Sequence, residues 1–387
     1  MPLPTETASP FDIIVRALQW SVYCLVGLLS CGILFVQLQG LLSDYNPLKI
    51  FDVREEEPQV PCYFIFGDSL ADNGNNNYRL TLAKSNYPPY GVDFPEGPTG
   101  RFTNDRLIVD IIAQLLGFED FIPPFANLTG KDVLKGVDYA SAASGILNET
   151  GTHLGDIISM NEQLENHLTT VSKIVRVLKD ESAAKEYLGK CIYTIITGND
   201  DYINNYFMPS YYNSSKVYSP RQFADVLAKQ FSKQLETLYS YGARKVAIFG
   251  IGLIGEVPEM IARFGANSTA VEAAAGLLNK KLLPLIDNLN SQLTGAKFTY
   301  INTSGISITI NATADHLDST DPCCRMVPGE GTCVPGSIPC ANRTEYAFYD
   351  GFHTTDVVNV IVAGRAYRKE LSIDASPYDI YDLTQLK

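Results

Sequence analysis

Short apolar runs rich in β-branched residues alternate along this chain with longer stretches of helical periodicity. Runs that are apolar on both faces are typical of buried strands in a parallel sheet. We predict five such strands: Cys62 to Phe66, a short one near Val137 to Ala140, Cys191 to Thr197, Lys245 to Phe249 and Lys297 to Ile301. Strands separated by helices predict a parallel sheet that is covered by helices, an α/β fold.

The helices are predicted from apolar spacing and from their end signals. One is capped by Asn104 and stops at Gly117, and others cover about 159–180, 220–242 with Ser219 as N-cap, and 270–293. No internal repeat or low-complexity linker interrupts residues 58–387. We therefore predict one catalytic domain over that range.

The first 50 residues are expected to lie outside this domain. No charged residue occurs between Arg16 and Asp44, and the segment from Trp20 to Val36 is almost entirely apolar. This pattern predicts a secretory signal peptide, which would make the protein extracellular. An uncleaved signal anchor is the alternative, because the run is long enough to span a bilayer and has no obvious cleavage site.

Cysteine usage and glycosylation sequons agree with an oxidising compartment. Cys323, Cys324, Cys333 and Cys340 crowd a Pro/Gly-rich loop and predict two local disulfides, since the spacing does not fit a zinc site. Cys62 and Cys191 lie in apolar strands and are expected to be buried thiols. Asn-x-Ser/Thr sequons predict a glycoprotein and begin at Asn127, Asn148, Asn213, Asn267, Asn302, Asn311 and Asn342.

The negative net charge of the chain restricts the kinds of molecule that it is expected to bind. A formal net charge of -13 argues against nucleic acid and anionic lipid surfaces and favours an uncharged partner or a small substrate. Gly250 to Gly255 fits a dinucleotide-binding fingerprint, but Pro258 follows closely and no second strand ends in an acidic residue at the required distance. A nucleotide cofactor is therefore not expected.

Residues suited to nucleophilic catalysis follow the predicted strands. Ser69, Gly145 and Asn199 come after the first three strands, and Asp350 and His353 lie near the carboxyl end of the chain. A serine becomes a good nucleophile when an imidazole takes its proton, and a carboxylate can orient that imidazole. The other histidines have no carboxylate at similar spacing and are not expected to be catalytic: His153, His167 and His316.

Six blocks in a fixed order make this chain resemble the plant-type secreted branch of the GDSL lipase/esterase family, the SGNH hydrolases. They are FIFGDSLADNGNNN (64–77), PYGVDFPEGPTGRFTN (89–104), GVDYASAASGI (136–146), DYINNYFMP (201–209), YGARKVAIFGIG (241–252) and EYAFYDGFHTTD (345–356). The resemblance implies a flavodoxin-like α/β/α sandwich with a five-stranded parallel sheet. It also implies a carboxylic ester hydrolase that uses an acyl-enzyme. We expect a monomer with neither metal nor cofactor, although the sequence leaves the oligomeric state open.

The same resemblance implies roles for individual residues. Ser69 would be the nucleophile, His353 the general base and then acid, and Asp350 the residue that orients His353. The backbone N–H groups of Ser69 and Gly145 would donate to the oxyanion, together with an Asn side chain from the block after the third strand.

That block departs from the family pattern, because an ungapped alignment places Asp200 where the family has Asn, with Asn199 one residue early. A carboxylate would repel an oxyanion unless it were protonated, and loss of one donor costs about 10²- to 10³-fold in rate. Either Asn199 serves through a local shift, or activity is weak. The alternative to a secreted esterase is therefore a catalytically weakened glycoprotein that binds acyl esters or cell-wall material.

Overall fold

A computed structural model describes residues 57–128, 130, 132–314 and 317–386 of the chain. The predicted signal or anchor at residues 1–50 lies outside this part, as does His316. Within the described ranges, none of the helices combines the length and the apolar character that a bilayer span requires.

The predicted parallel sheet is confirmed and has an additional short edge strand. The six strands are β1 Tyr63–Gly67, β2 Gly136–Asp138, β3 Ile192–Ile196, β4 Lys245–Phe249, β5 Lys297–Ile301 and β6 Ala375–Ser376. Their order in the sheet is β2-β1-β3-β4-β5-β6. The first five are parallel, whereas β6 pairs antiparallel with β5 and is too short to be visible as an apolar run.

Alternation along the strands divides the core into two layers. Phe64 and Phe66 of β1 belong to one apolar cluster, and Tyr63 and Ile65 belong to the other. Because successive side chains of a strand point to opposite faces, both faces of the sheet need helices to cover them. The α/β/α sandwich predicted for the chain is therefore confirmed.

Nine helices of at least six residues surround the sheet in the described part of the chain. They are α1 Ile108–Leu115, α2 Met160–Leu178, α3 Glu181–Lys190, α4 Pro220–Ser240, α5 Pro258–Phe264, α6 Ser268–Gln292, α7 Thr303–Thr313, α8 Asp356–Tyr367 and α9 Ile380–Gln385. Helices α2, α3, α4 and α6 cover one face of the sheet, and α1, α7, α8 and α9 cover the other. Shorter helical turns are Phe125–Asn127, Asp132–Leu134, Thr152–Leu154, Asn199–Asp201, Tyr202–Tyr206, Ser214–Val217, Gly265–Asn267 and Arg343–Glu345.

The predicted start of α1 is wrong. The helix begins at Ile108, and Asp110 accepts a hydrogen bond from the backbone N–H of Leu107 at 2.8 Å. Asn104 instead connects two loops, because its amide donates to Asp93 and its carbonyl oxygen accepts the N–H of Asp356. A good capping residue is thus used for tertiary contacts, which the local pattern does not reveal.

The segment before β3 contains a helix that the periodicity did not separate from its neighbour. Helix α2 ends at Leu178, Lys179 adopts a left-handed conformation with φ 58°, and α3 follows at once. Asp180 caps α3 by accepting the backbone N–H groups of Ser182 and Ala183. The predicted helix over 159–180 therefore matches α2 closely and misses α3.

Three disulfides link the described cysteines, and one of them corrects the sequence-based expectation. Cys323 pairs with Cys340 and Cys324 with Cys333, as the crowded loop predicted. Cys62 and Cys191, expected to be free thiols, also form a disulfide. Each of these two cysteines immediately precedes its strand, and Tyr63 pairs with Ile192 in register, so the sheet brings the cysteines side by side.

The Cys62–Cys191 disulfide is expected to stabilise the fold, because it closes a loop with a sequence separation of 129 residues. Replacing both cysteines by Ala should lower the free energy of unfolding by about 2–4 kcal/mol, measured by urea denaturation. The matched control, Cys323→Ala with Cys340→Ala, removes a loop of 17 residues and should cost less. Free thiols at Cys62 and Cys191 in peptide maps of the unreduced protein would contradict this assignment.

Candidate active site

A cavity of about 570 Å³ opens at the carboxyl ends of the central strands. The strand order places β1 between β2 and β3. The connection after β1 therefore runs to one side of the sheet, and the connection after β2 runs back across β1 to the other side. Ligands of open α/β sheets bind at such a switch point. The cavity is lined there by Ser69, which follows β1, and by Asn199 and Asp200, which follow β3.

Three of the predicted residues meet at this cavity. The Nε2 atom of His353 lies 2.7 Å from the Oγ atom of Ser69. On the opposite side of the ring, Nδ1 of His353 lies 2.8 Å from Oδ2 and 2.9 Å from Oδ1 of Asp350. The ring of Phe102 packs against the imidazole at 4.7 Å between centroids. The imidazole is therefore oriented from two sides and its free nitrogen faces the serine.

Asp350 is completely buried, and each of its oxygens has a further donor. Oδ1 accepts the backbone N–H groups of Phe352 and His353, both at 2.8 Å. Oδ2 accepts the phenolic O–H of Tyr90 at 2.6 Å. Such a set of hydrogen bonds compensates the carboxylate for its loss of water.

Tyr90 also connects Asp350 to the disulfide-rich loop. The Oη atom of Tyr90 accepts the backbone N–H of Cys333 at 3.1 Å, and the N–H of Cys324 donates to the carbonyl of Tyr349 at 2.9 Å. The N–H of Gly351 donates to Gly331 at 2.7 Å. The loop closed by the two local disulfides thus supports the turn that carries Asp350 and His353.

The backbone N–H groups of Ser69 and Ala143 have no hydrogen-bond partner within the described residues, and both residues line the cavity. Ala143 has φ 65°, a left-handed conformation that is uncommon for a residue with a side chain and is often found at functional sites. The N–H of Gly145, the residue predicted from sequence, also has no partner among the described residues, but Gly145 is not among the residues that line the cavity.

Gly145 instead allows close packing behind the cavity wall. A Cβ atom at this position would lie 2.5 Å from Oδ2 of Asp201. The Asp201 carboxylate accepts the N–H groups of Ile146 and Leu147 and the hydroxyl of Thr150. Burial raises the pKa of Asp201 to about 7, although these hydrogen bonds oppose the shift. Asp201 therefore ties the loop after β2 to the turn after β3.

Asn199 forms a bridge between two strand ends. Its amide Nδ2 donates to Oδ2 of Asp68 at 3.0 Å, and its Oδ1 accepts the N–H of Gly252 at 3.3 Å. Asp68 also accepts the N–H of Leu70 at 3.0 Å, so it shapes the turn that presents Ser69. Burial raises the pKa of Asp68 to about 6, while the hydrogen bonds from Asn199 and Leu70 act in the opposite direction.

Asp200 lies beside Asn199 in the same cavity wall. Its Oδ1 atom accepts the amide of Asn204 at 2.6 Å. Burial is the main cause that raises the pKa of Asp200 well above its usual range, and the nearby Asp68 carboxylate adds to it.

The remaining described histidines are not part of this arrangement. His167 is fully buried among aromatic rings, and burial lowers the pKa of its imidazole to about 3. His153 lines the cavity, and its Nδ1 lies 2.7 Å from the hydroxyl of Tyr212.

Sequence reasoning assigned no role to Tyr90, Asp68 or Ala143. Tyr90 and Asp68 occur in quoted blocks, and their contacts join residues far apart in the chain. The position of Ala143 depends on its positive φ angle, which cannot be predicted from the residue type.

A serine hydroxyl bonded to an imidazole, which a buried carboxylate orients, defines the class of serine hydrolase sites. A family model described as GDSL-like Lipase/Acylhydrolase matches residues 63–366. The chain belongs to this family.

Relatives from Arabidopsis thaliana support the same conclusion. One GDSL esterase/lipase is 46% identical over 348 residues, which are 88% of this chain and 96% of the relative. Another is 47% identical over 340 residues, 86% of this chain and 93% of the relative. The predicted family is confirmed, and so is the predicted class, an enzyme that acts on esters.

Among solved structures, the chain matches the crystal structure of an acetyl xylan esterase, AlAXEase, with a TM-score of 0.36 and 11% identity. The match covers 80% of this chain and all of that one.

Tyr90→Phe removes one donor from the buried Asp350 and leaves the ring in place. A hydrogen bond to a charged group contributes about 1.5–3 kcal/mol, so we expect kcat for a p-nitrophenyl ester to fall about tenfold. KM should change little, since Tyr90 does not line the cavity. Tyr87→Phe is the control, because the Tyr87 hydroxyl donates to the carbonyl of Cys333 and not to Asp350. Equal losses in the two variants would rule out a specific role for the Tyr90 hydroxyl.

Proposed function

We propose that this protein is a secreted carboxylic ester hydrolase that works through an acyl-enzyme on Ser69. The observation that carries the proposal is the connected series of hydrogen bonds from Ser69 through His353 to the buried Asp350. The family membership of the chain supports the same reaction class.

In the proposed acylation step, Oγ of Ser69 attacks the ester carbonyl carbon and its proton passes to Nε2 of His353. The carbonyl oxygen becomes an oxyanion, which accepts hydrogen bonds from the free N–H groups of Ser69 and Ala143. We assign this role to Ala143 rather than to Gly145, the residue implied by the resemblance, because Ala143 lines the cavity. The imidazolium then gives its proton to the departing alcohol as the C–O bond breaks, and the acyl-enzyme remains.

Deacylation repeats these steps with water. His353 takes a proton from a water molecule, the hydroxide attacks the acyl carbon, and the second oxyanion uses the same donors. The proton returns to Oγ of Ser69 when the bond to the carboxylic acid product breaks. Asp350 keeps its charge throughout and stabilises the imidazolium.

Secretion is supported by three features of the mature chain and its leader. The described cysteines are paired, which is typical of oxidising compartments. All the sequon asparagines except Asn302 are exposed, and Asn302 uses its side-chain amide to donate to Ile373. The uncharged run before residue 44 fits a signal peptide. We propose that the folded part of the protein is extracellular.

The cavity supports an ester with an aliphatic chain as the substrate. Apolar side chains of α1, α7 and α8, such as Ile108, Ile310 and Val362, form one part of the cavity lining, which we call the wing. Leu82 and Tyr211 also line the cavity and are 73% and 64% exposed. Apolar walls of this kind bind hydrocarbon by the hydrophobic effect. We propose that the wing holds the acyl chain.

The competing hypothesis of a catalytically weakened binding glycoprotein is not favoured. It was based on Asp200 alone, and the relatives that cover most of the chain are esterases/lipases by name.

Ser69→Ala tests the proposed nucleophile. The variant should lose at least about 10³-fold in kcat on p-nitrophenyl butyrate, because no other group in the proposed scheme can form the acyl-enzyme. In the wild type, a fluorophosphonate probe should add one label, and peptide mass spectrometry should locate it on Ser69.

The control for this test is Ser291→Ala, which changes an exposed serine on α6 and should leave turnover and labelling intact. The proposed mechanism fails if Ser69→Ala keeps its activity while circular dichroism shows the native fold. It also fails if the probe labels another residue.

Val362→Phe tests the acyl-chain wing. Val362 is buried on α8 and lines the cavity, so a larger side chain should shorten the wing. We expect the ratio of kcat/KM for the decanoyl ester to that for the acetyl ester to fall about tenfold, from comparison across a series of p-nitrophenyl esters. Val360→Phe enlarges a half-buried residue of the same helix that does not line the cavity, and its ratio should match the wild type.

A further inference from the structure

The carboxyl group of Asp200 is buried beside the nucleophile and has an oxygen without a partner. Asp200 is 6% exposed and lines the same cavity as Ser69. Within the described residues, its one hydrogen bond is the donation from the amide of Asn204 to Oδ1 at 2.6 Å. Oδ2 therefore has no donor among the described residues to satisfy a negative charge.

A second carboxylate close by decides which of the two groups is ionised. Asp68 accepts hydrogen bonds from the N–H of Leu70 and from Nδ2 of Asn199, each at 3.0 Å. The imidazole of His353 also favours charge on Asp68. Two neighbouring buried carboxyl groups cannot both ionise easily, because their negative charges repel each other. The group that accepts more hydrogen bonds is the one that ionises more readily. The donors therefore favour the charge on Asp68 and the proton on Asp200.

The other charged groups around Asp200 do not reverse this assignment. Burial first and the charge of Asp68 second raise the pKa of Asp200, and Asp201 adds to the shift. The further ionisable side chains that line the cavity are His153, Tyr211, Glu256, Arg263, Glu330 and His353. Arg263 is paired with Glu259 at 2.7 Å and donates to the carbonyl of Gly329, so its charge is already engaged.

The position of the proton follows from the contact with Asn204. Oδ1 accepts an N–H from Asn204, so the proton belongs on Oδ2, the oxygen with no donor. The Asp200 carboxyl then presents an O–H, which is a donor of the same geometry as an amide N–H on an Asn side chain.

Asn199 is less suited to serve as this donor. Its Nδ2 is committed to Asp68 and its Oδ1 to the N–H of Gly252. Turning the amide towards a bound substrate would break the bridge between the ends of β1 and β4. Among the described residues, the Asp200 side chain has one hydrogen bond to keep, and that bond uses the other oxygen.

We propose that Asp200 acts as a neutral acid whose Oδ2–H donates the third hydrogen bond to the oxyanion, beside the N–H groups of Ser69 and Ala143. This inference rests on the proposed serine mechanism. The proton stays on Asp200 during both steps, because the proton transfers run between Ser69, His353, water and the leaving alcohol. The group therefore stabilises developing charge without changing the proton balance of the reaction.

Two substitutions at Asp200 separate donation from other roles. In Asp200→Asn, Oδ1 still accepts from Asn204 and Nδ2 replaces the Oδ2–H, so a donor is present whatever the pH. In Asp200→Ala the donor is lost, and kcat should fall about 10²- to 10³-fold with a smaller change in KM. Asp200→Asn should stay within tenfold of the wild type at pH 7.

Each other result would overturn the proposal. A gain of tenfold or more in Asp200→Asn would show that wild-type Asp200 is an ionised group that opposes the oxyanion. Full activity in Asp200→Ala would show that no donor is needed there, and a loss in Asp200→Asn as large as in Asp200→Ala would show that the side chain does not act by donating. If the wild type and all Asp200 variants lack turnover, the proposed esterase function itself fails.

Infrared spectroscopy gives a readout that does not depend on turnover. The wild type minus Asp200→Asn difference spectrum at pH 7 should contain the C=O stretch of a protonated carboxylic acid. Asp156→Asn, which changes an exposed carboxylate, should give no such band. A difference spectrum with only carboxylate bands at Asp200 would also overturn the proposal.

Discussion

Parallel pairing of β1 with β3 in a single register is the constraint on which the site depends. Gly67 pairs with Ile196 at the carboxyl ends, and the N–H of Asp68 continues the pairing by donating to Ile196 at 2.9 Å. A Cβ at Gly67 would lie 2.1 Å from the Ile196 carbonyl oxygen, and the backbone there has φ 149°. Only glycine allows this approach. A slip of one residue would invert every side chain of the strand and separate Ser69 from the turn after β3.

Buried carboxyl groups hold the loops around that pairing. Asp72 accepts N–H groups from Gly74, Asn75 and Ala142, and Asp201 accepts those of Ile146 and Leu147. Burial raises the pKa of each of these carboxyl groups. Their positions at strand ends explain why the loops that follow different strands share one wall, since a single carboxyl can satisfy several backbone donors at once. Acidic residues of this kind contribute to structure rather than to surface charge.

The elements with strong local signals were predictable, and the contacts between distant segments were not. β4 and β5 have the predicted bounds because apolar runs and flanking glycines define them. The Cys62–Cys191 disulfide depends on which strands become neighbours. Asn104 does not cap α1, because its side chain forms hydrogen bonds with Asp93 and Asp356, which are close in space but not in sequence. In the site, the roles expected for Ser69, His353 and Asp350 were implied by the resemblance of the ordered blocks, and the structure brings these three residues together. Ala143 required a backbone angle, which a sequence does not contain.

Asp200 shows how burial changes the meaning of a residue type. In water an aspartate is an anion, and an anion beside an oxyanion would oppose catalysis. Inside the cavity wall the same residue competes for charge with Asp68, which has the better donors. In the proposed site, the carboxyl group with fewer donors keeps its proton and acts as a hydrogen-bond donor. Replacing an amide by a carboxylic acid at this position would then keep a donor as long as the neighbouring carboxylate holds the charge, and Asn199 would contribute by stabilising Asp68 rather than by contacting the substrate.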